Sequence, residues 1–351
     1  MQKAISITAG AAGFLALAGA AGTAAYAWNN TTYHARAVAR VRSAGFAERQ
    51  ATVDGSVINY GEGPTHVTPL LLIHGQMTSW QSYAPVLPEL ARRFHVYAVD
   101  CYGHGQSSHD PTGYSAAANG RDLRRFIRDV IGRPAIVSGL SSGGLLAGWL
   151  GANAPAEVRA VILEDPPFFS SLPDRFPRTA GYELASIAHA FLESGESDFA
   201  VYYATHMGWL DYLGKLRPAM LAYPARFRAQ HPGRPLTYWF FPPLVNSLFE
   251  SLDQYDPRFG QAFYDYSWHE GFDHADALAR LRLPAALIHA NWFVDPKGIL
   301  MGAMNDEDAS RACRLIEGVE FHRVDSLHSV HTAEPKTFLH IVNEFADRLH
   351  L

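Results

Sequence analysis

The sequence predicts an α/β protein on a doubly wound, mostly parallel sheet, with a helical, aromatic-rich segment inserted before the last two strands. Three observations carry that expectation. Short continuous apolar runs at residues 70–74, 94–100, 135–138 and 158–163 suit strands buried on both faces. Helical periodicity fills the intervals at residues 80–92, 116–131 and 142–153, so strand and helix alternate. The alternation stops after Asp165 and resumes only at Pro284.

Taken in order, the chain opens with an uncharged Ala/Gly-rich stretch over residues 4–28. Its length suits a spanning helix of ~20 residues. Ala25-Tyr26-Ala27 has the small-x-small form of a signal-peptidase site. Residues 1–28 are therefore expected to be a signal peptide or membrane anchor, and the protein to be exported or held at a membrane. Residues 29–50 read as an Arg-bearing helix or linker. A hairpin around Asp54-Gly55 opens the first part of the core, residues 51–165. Residues 166–282 are rich in Pro and aromatics and read as a lid. The rest of the core, residues 283–351, supplies strands at 284–289 and 319–324 and helices at 306–317 and 335–349.

Composition narrows the function. Apolar residues make up 48% and charged residues 18%, enough for a sizeable core. A net charge of −5 without a basic, aromatic-interleaved run argues against nucleic acid as a partner. The two cysteines, Cys101 and Cys313, read as plain thiols, and no His/Cys cluster has metal-ligand spacing, so neither metal nor cofactor is expected. Gly103-His104-Gly105-Gln106-Ser107 lacks both phosphate-loop patterns and reads as a structural loop.

The strongest chemical signal is Gly139-Leu140-Ser141-Ser142-Gly143-Gly144, which follows a predicted strand and opens a helix. This is G-x-S-x-G in the strand–turn–helix setting of a nucleophile elbow, with Ser141 at its centre and Ser142 one place beyond. The turn exposes the Ser141 hydroxyl and aims the next amide at the helix N-terminus, where an oxyanion is stabilised. His74-Gly75-Gln76 ends another strand, so the amides of Gln76 and Ser142 are the expected oxyanion donors and His74 a buried structural ring. Folds using this turn run nucleophile, acid, histidine. His328, on the loop after the last strand, is the expected base; its rival His331 suits a packing role. Asp165 is the favoured acid, with Asp295 and Glu164 as alternatives.

In this order, His74-Gly75, Asp100 with Gly103–Ser107, the elbow and the His328 loop resemble the α/β-hydrolase superfamily over roughly residues 51–350. The resemblance implies that fold and a Ser-acid-His mechanism. Ser141-Ser-Gly-Gly-Leu-Leu, Glu164-Asp165-Pro-Pro-Phe-Phe, Tyr255-Asp-Pro-Arg-Phe-Gly, Gly298-Ile-Leu-Met-Gly-Ala and Leu327-His328 are similar to bacterial serine esterase and lactonase members such as zearalenone hydrolase. In lactonases of that kind the acid follows the strand after the elbow helix, which implies Asp165. The expected function is a serine hydrolase acting on a small apolar ester or lactone. A C–C bond hydrolase, a perhydrolase and a ligand-binding receptor on the same scaffold are the alternatives. Dehalogenases and epoxide hydrolases need a carboxylate nucleophile where this chain has Ser141. Phe168, Phe169, Tyr202, Tyr203, Trp209, Tyr212, Tyr238, Trp239, Phe240, Phe241, Tyr264, Tyr266 and Trp268 fall in the lid and suggest an apolar, ring-bearing substrate.

Overall fold

The computed structural model describes residues 2–351, and of the side chains all but those at 2–21, 209, 212 and 244. One long helix, α1 (Gln2–Ser43), precedes the hairpin β1 (Ala47–Val53) and β2 (Ser56–Glu62). Then follow β3 (Thr68–Ile73), α2 (Leu87–Leu90), β4 (Phe94–Val99), α3 (Ala116–Phe126), β5 (Ala135–Leu140), α4 (Ser142–Asn153) and β6 (Val158–Glu164). Six helices come next: α5 (Ala180–Ser194), α6 (Phe199–His206), α7 (Arg217–Gln230), α8 (Pro243–Ser251), α9 (Pro257–Tyr264) and α10 (His274–Arg280). The chain ends with β7 (Ala285–His289), the ribbon β8 (Phe293–Val294) and β9 (Leu300–Met301), α11 (Asp306–Leu315), β10 (Glu320–Arg323), α12 (Val330–Ala333) and α13 (Pro335–Arg348).

The eight-stranded sheet has the order β1-β2-β4-β3-β5-β6-β7-β10. The hairpin is antiparallel and β2 joins β4 antiparallel; every other pairing is parallel. The continuous apolar runs are explained by two covered faces. In β3, Leu71 and Ile73 face the layer containing α3, α4 and the inserted helices, while Leu70 and Leu72 face the layer with Tyr83, Leu87 and Phe338. In β5 and β6, Val137, Val161 and Leu163 face the first layer, and Ile136, Ala160 and Ile162 the second. From β3 the chain steps to β4 on one side and then to β5 on the other. The crevice beyond the carboxyl ends of β3 and β5 is thus the point where winding reverses, the usual ligand position in an open α/β sheet.

Three local expectations change. Residues 80–92 are not one helix but a 3₁₀ turn (Trp80–Tyr83) and the short α2, because Pro85 and Pro88 cannot continue an upstream helix. The helix expected over 116–131 ends at Phe126 and continues as a π turn (Ile127–Ile131) closed by left-handed Gly132. Most importantly, of the two readings of residues 29–50 the helix holds over 29–43, which is the end of α1, and the sheet begins at Ala47 rather than 51. Ala37 and Val41 are fully buried in the second layer. Asn30 donates to the Trp239 carbonyl at 3.0 Å and Asn246 donates to the Asn30 carbonyl at 3.2 Å, so α1 is stitched to the inserted helices.

Among the described residues no helix is long and apolar enough to cross a membrane. Most of the stretch 4–28 on which the anchor expectation rests lies outside the described side chains. Cys101 and Cys313 are both free thiols.

Candidate active site

Ser141 stands at the junction of β5 and α4 with φ 56° and ψ −121°, a conformation that L-residues adopt only under constraint. Its surroundings supply the constraint. A Cβ at position 139 would lie 2.1 Å from the Gly143 carbonyl oxygen, and one at position 143 would lie 2.2 Å from the Ile73 carbonyl oxygen. Glycine at both places lets β5, α4 and β3 close on one another and pushes the intervening serine out into the crevice.

Two backbone segments close on this serine. Ser142 is the first residue of α4, so its N–H belongs to the unpaired set at a helix start. Gly75 runs against the elbow so closely that a Cβ there would be 3.1 Å from the Ser141 Cβ, which brings the Gln76 backbone alongside. His74 is buried and neutral: its Nδ1–H donates to the Gly75 carbonyl at 2.7 Å and its Nε2 accepts from the Cys101 amide at 3.0 Å. Burial lowers its pKa to about 4. The Gly103–Ser107 loop is structural, folded on the buried Asp100, which accepts from the amides of Trp80 (2.8 Å) and Gln106 (3.1 Å).

His328 and Asp165 meet. His328 Nδ1–H donates to Asp165 Oδ2 at 2.7 Å. Asp165 follows β6 directly in a left-handed conformation, φ 41°, and is almost wholly buried. Its other oxygen accepts from His289 Nδ1 (3.3 Å) and the Ala290 amide (3.2 Å) at the end of β7. Burial alone would raise the Asp165 pKa, but these bonds and the His328 charge hold it below its ordinary value. Burial likewise depresses His328, yet the Asp165 bond and charge outweigh it and the net shift is upward. His289 continues the chain of contacts: its Nε2 lies 3.2 Å from Asp306 Oδ1, which also accepts from Trp292 Nε1 at 2.7 Å and from Arg323.

The alternative carboxylates are occupied elsewhere. Asp295 Oδ1 accepts from the amides of Lys297 and Ile299, both at 2.8 Å, in the turn of the β8–β9 ribbon. Glu164 forms a wholly buried pair with the rival histidine: His331 Nδ1 lies 2.9 Å from Oε2, and the His331 amide donates to Oε1 at 2.8 Å. The His331 ring stacks on Tyr83, centroids 4.0 Å apart. Two adjacent carboxylates thus each grip one histidine of the same loop. Removing one partner of such a buried pair leaves a charge without compensation. Glu164→Ala is expected to cost about 3–5 kcal/mol of stability, read by urea unfolding.

Ser141 and His328 open into a cavity of about 590 Å³ with mostly apolar walls. Leu140 and Leu327 come from the core, and Leu184, Met207, Phe241, Val245, Leu248 and Phe249 from the inserted helices. Of the aromatics expected to shape the pocket, Phe241 alone lines it among the described residues. Phe168, Phe169, Tyr203, Tyr238 and Trp268 are buried in packing, and the side chains of Trp209 and Tyr212 lie outside the described residues. Aromatic content therefore reports the lid's own core more than its substrate. The sequence reading missed Tyr33, His34 and Ala37 of α1, which form one wall. Their signal was the apolar stripe Tyr33, Ala37, Val41 at four-residue spacing, partly hidden among Arg36, Arg40 and Arg42.

The family model for the alpha/beta hydrolase fold matches residues 68–300, more than half of the chain. The chain belongs to the α/β-hydrolase fold family. A soluble epoxide hydrolase of Corynebacterium sp. strain C12 is 30% identical over 155 residues, 43% of this chain and 52% of that protein. The first curated relatives are matched over 32% to 61% of their own length. Among solved structures, the enol-lactonase from Burkholderia xenovorans LB400 superposes with a TM-score of 0.57 at 18% identity, over 85% of this chain and 100% of that one. A bacterial membrane phospholipase A superposes with a TM-score of 0.60 at 21% identity, over 96% of this chain and 97% of that one.

Proposed function

We propose that this protein is a serine hydrolase that cleaves a carboxylic ester or lactone through an acyl-Ser141 intermediate. The single observation that carries the reading is the 2.7 Å bond that His328 Nδ1–H donates to Asp165, in a cavity that His328 shares with the strained elbow serine. Ser141 Oγ attacks the carbonyl carbon as His328 Nε2 takes its proton; the oxyanion that forms is held by the amides of Gln76 and Ser142. The C–O bond to the alcohol then breaks, with His328 returning the proton to the leaving oxygen. A water, deprotonated by the same nitrogen, releases the acid. Asp165 keeps the Nδ1–H tautomer and stabilises the imidazolium.

The apolar walls favour an ester with a long or bulky apolar group. The uncharged stretch 4–28, leading straight into a helix that walls the cavity, supports an exported or membrane-held enzyme whose substrate is an amphiphile. The epoxide hydrolase likeness is one of fold, since that chemistry needs a carboxylate nucleophile where Ser141 stands. The test is a series of aryl esters and lactones of rising apolar bulk, with mass detection of the acylated peptide. Turnover rising with bulk and an adduct on Ser141 support the reading; no adduct and no turnover across the series overturn it.

The pH profile gives an independent expectation. The base must be unprotonated to accept the serine proton, and Asp165 raises the His328 pKa above its usual 6.5. The acid limb of kcat/KM should therefore lie above pH 6.5, with activity lost as pH falls through it. A limb well below that value would mean another group is the base.

A further inference from the structure

A second hollow, of about 380 Å³, opens between α1 and α7, away from Ser141 and His328. Its walls include Thr31 of α1, Tyr223 and Arg226 of α7, and His231, Arg234 and Trp239 from the loop that follows. We propose that it binds the phosphate of an anionic phospholipid head group. The proposal rests on the reading of residues 4–28 as a membrane segment.

Charge is the first argument. On α7, Arg217 lies 3.4 Å from Asp211, and Arg228 is held between Asp198 and Asp253. Arg226 and Arg234 are exposed and have no carboxylate at ion-pair distance among the described residues. Two uncompensated guanidiniums on one hollow, in a chain whose net charge is −5, form a local anion site. Guanidinium forks match phosphate oxygens in geometry and charge.

Depth is the second. The stretch 4–28 makes roughly 37 Å of helix at 1.5 Å per residue, more than the ~30 Å hydrocarbon core. Thr31 stands three residues beyond Trp28, about 5 Å further along the axis, which is the level of the head groups.

The third is the ring of exposed aromatics around the same place. Tyr26 is 50%, Trp28 58% and Trp239 45% exposed. Such rings seat at the membrane–water boundary. Asn30 binds the Trp239 backbone at 3.0 Å, so the α1 and lid members of this belt are held together. A phosphate in the hollow would fasten the lid to the bilayer beside the helix that also walls the catalytic cavity.

The test is flotation of the full chain, purified in mild detergent, on vesicles of phosphatidylcholine alone and of phosphatidylcholine mixed with phosphatidylglycerol. Wild type should bind both and prefer the anionic vesicles. An arginine near an anionic surface is worth about a factor of five, so the double variant R226Q/R234Q should lose roughly 25-fold of that preference. Its unchanged flotation on neutral vesicles reports that it is folded and anchored. Equal binding to both vesicles by wild type, or an undiminished preference in the variant, overturns the head-group site and leaves the anchor reading standing. Binding to neither vesicle sinks the anchor reading and the lipid site with it. Abolition of the preference by millimolar inorganic phosphate, without matching loss in equimolar chloride, would assign the hollow to free phosphate instead.

Discussion

Replacing Ser141 by alanine is expected to abolish covalent labelling by a fluorophosphonate and to lower kcat by ~10⁴ or more, as in other triads. That factor is about 5–6 kcal/mol of transition-state stabilisation. The reason lies in the backbone as much as in the hydroxyl. With φ at 56°, the elbow holds Oγ where β3, β5 and α4 converge, and the helix-start amide of Ser142 follows immediately. Alanine keeps that backbone and removes only the nucleophile, so the variant should unfold at the wild-type urea concentration. Intact-protein mass spectrometry after labelling is the measurement. An adduct on Ser142, or wild-type turnover by the alanine variant, would remove Ser141 from the mechanism.

What the sequence revealed, and what it concealed, follows from the range of the interactions involved. The elbow was legible because its constraints are local: three glycines, a strand before and a helix after, all within a dozen residues. The parallel strands were legible because both faces are covered, which forces unbroken apolar runs. The Pro-interrupted turn over 80–90 was misread because apolar periodicity counts side chains and ignores the missing amide donors of Pro85 and Pro88. The wall formed by Tyr33, His34 and Ala37 was concealed because its meaning depends on where α1 lands. The stripe can be read from sequence, but the surface it covers is set by residues about 50 and 200 positions away, such as Gln81 and Asn246. The Glu164–His331 pair was hidden for the same reason. Nothing in a Glu-Asp dipeptide tells that each carboxylate will meet a different histidine of one distant loop.

Asp165→Asn is expected to be nearly as damaging as loss of the nucleophile, ~10⁴ in kcat, while Asp295→Asn retains most activity. The contrast is physical. Asp165 Oδ2 accepts the His328 Nδ1–H at 2.7 Å, whereas Asp295 Oδ1 is engaged with the amides of Lys297 and Ile299. An asparagine at 165 keeps the shape but can present an N–H to Nδ1. The imidazole then carries its proton on the other nitrogen, the one that must receive the serine proton. The change also removes the charge that raises the His328 pKa, so whatever activity survives should show its acid limb at lower pH than wild type. That shift separates lost electrostatics from simple misfolding, which would lower the rate at every pH alike. His289 adds a check on the same carboxylate, because it holds the other oxygen at 3.3 Å and is itself tied to Asp306. His289→Phe, which leaves that oxygen to the Ala290 amide alone and keeps the Asp165 charge, should lower kcat by less, on the order of 10-fold, without the downward move of the limb. If Asp295→Asn is the crippled variant and Asp165→Asn is active, the carboxylate in the β8–β9 turn orients the base and the β6 assignment fails.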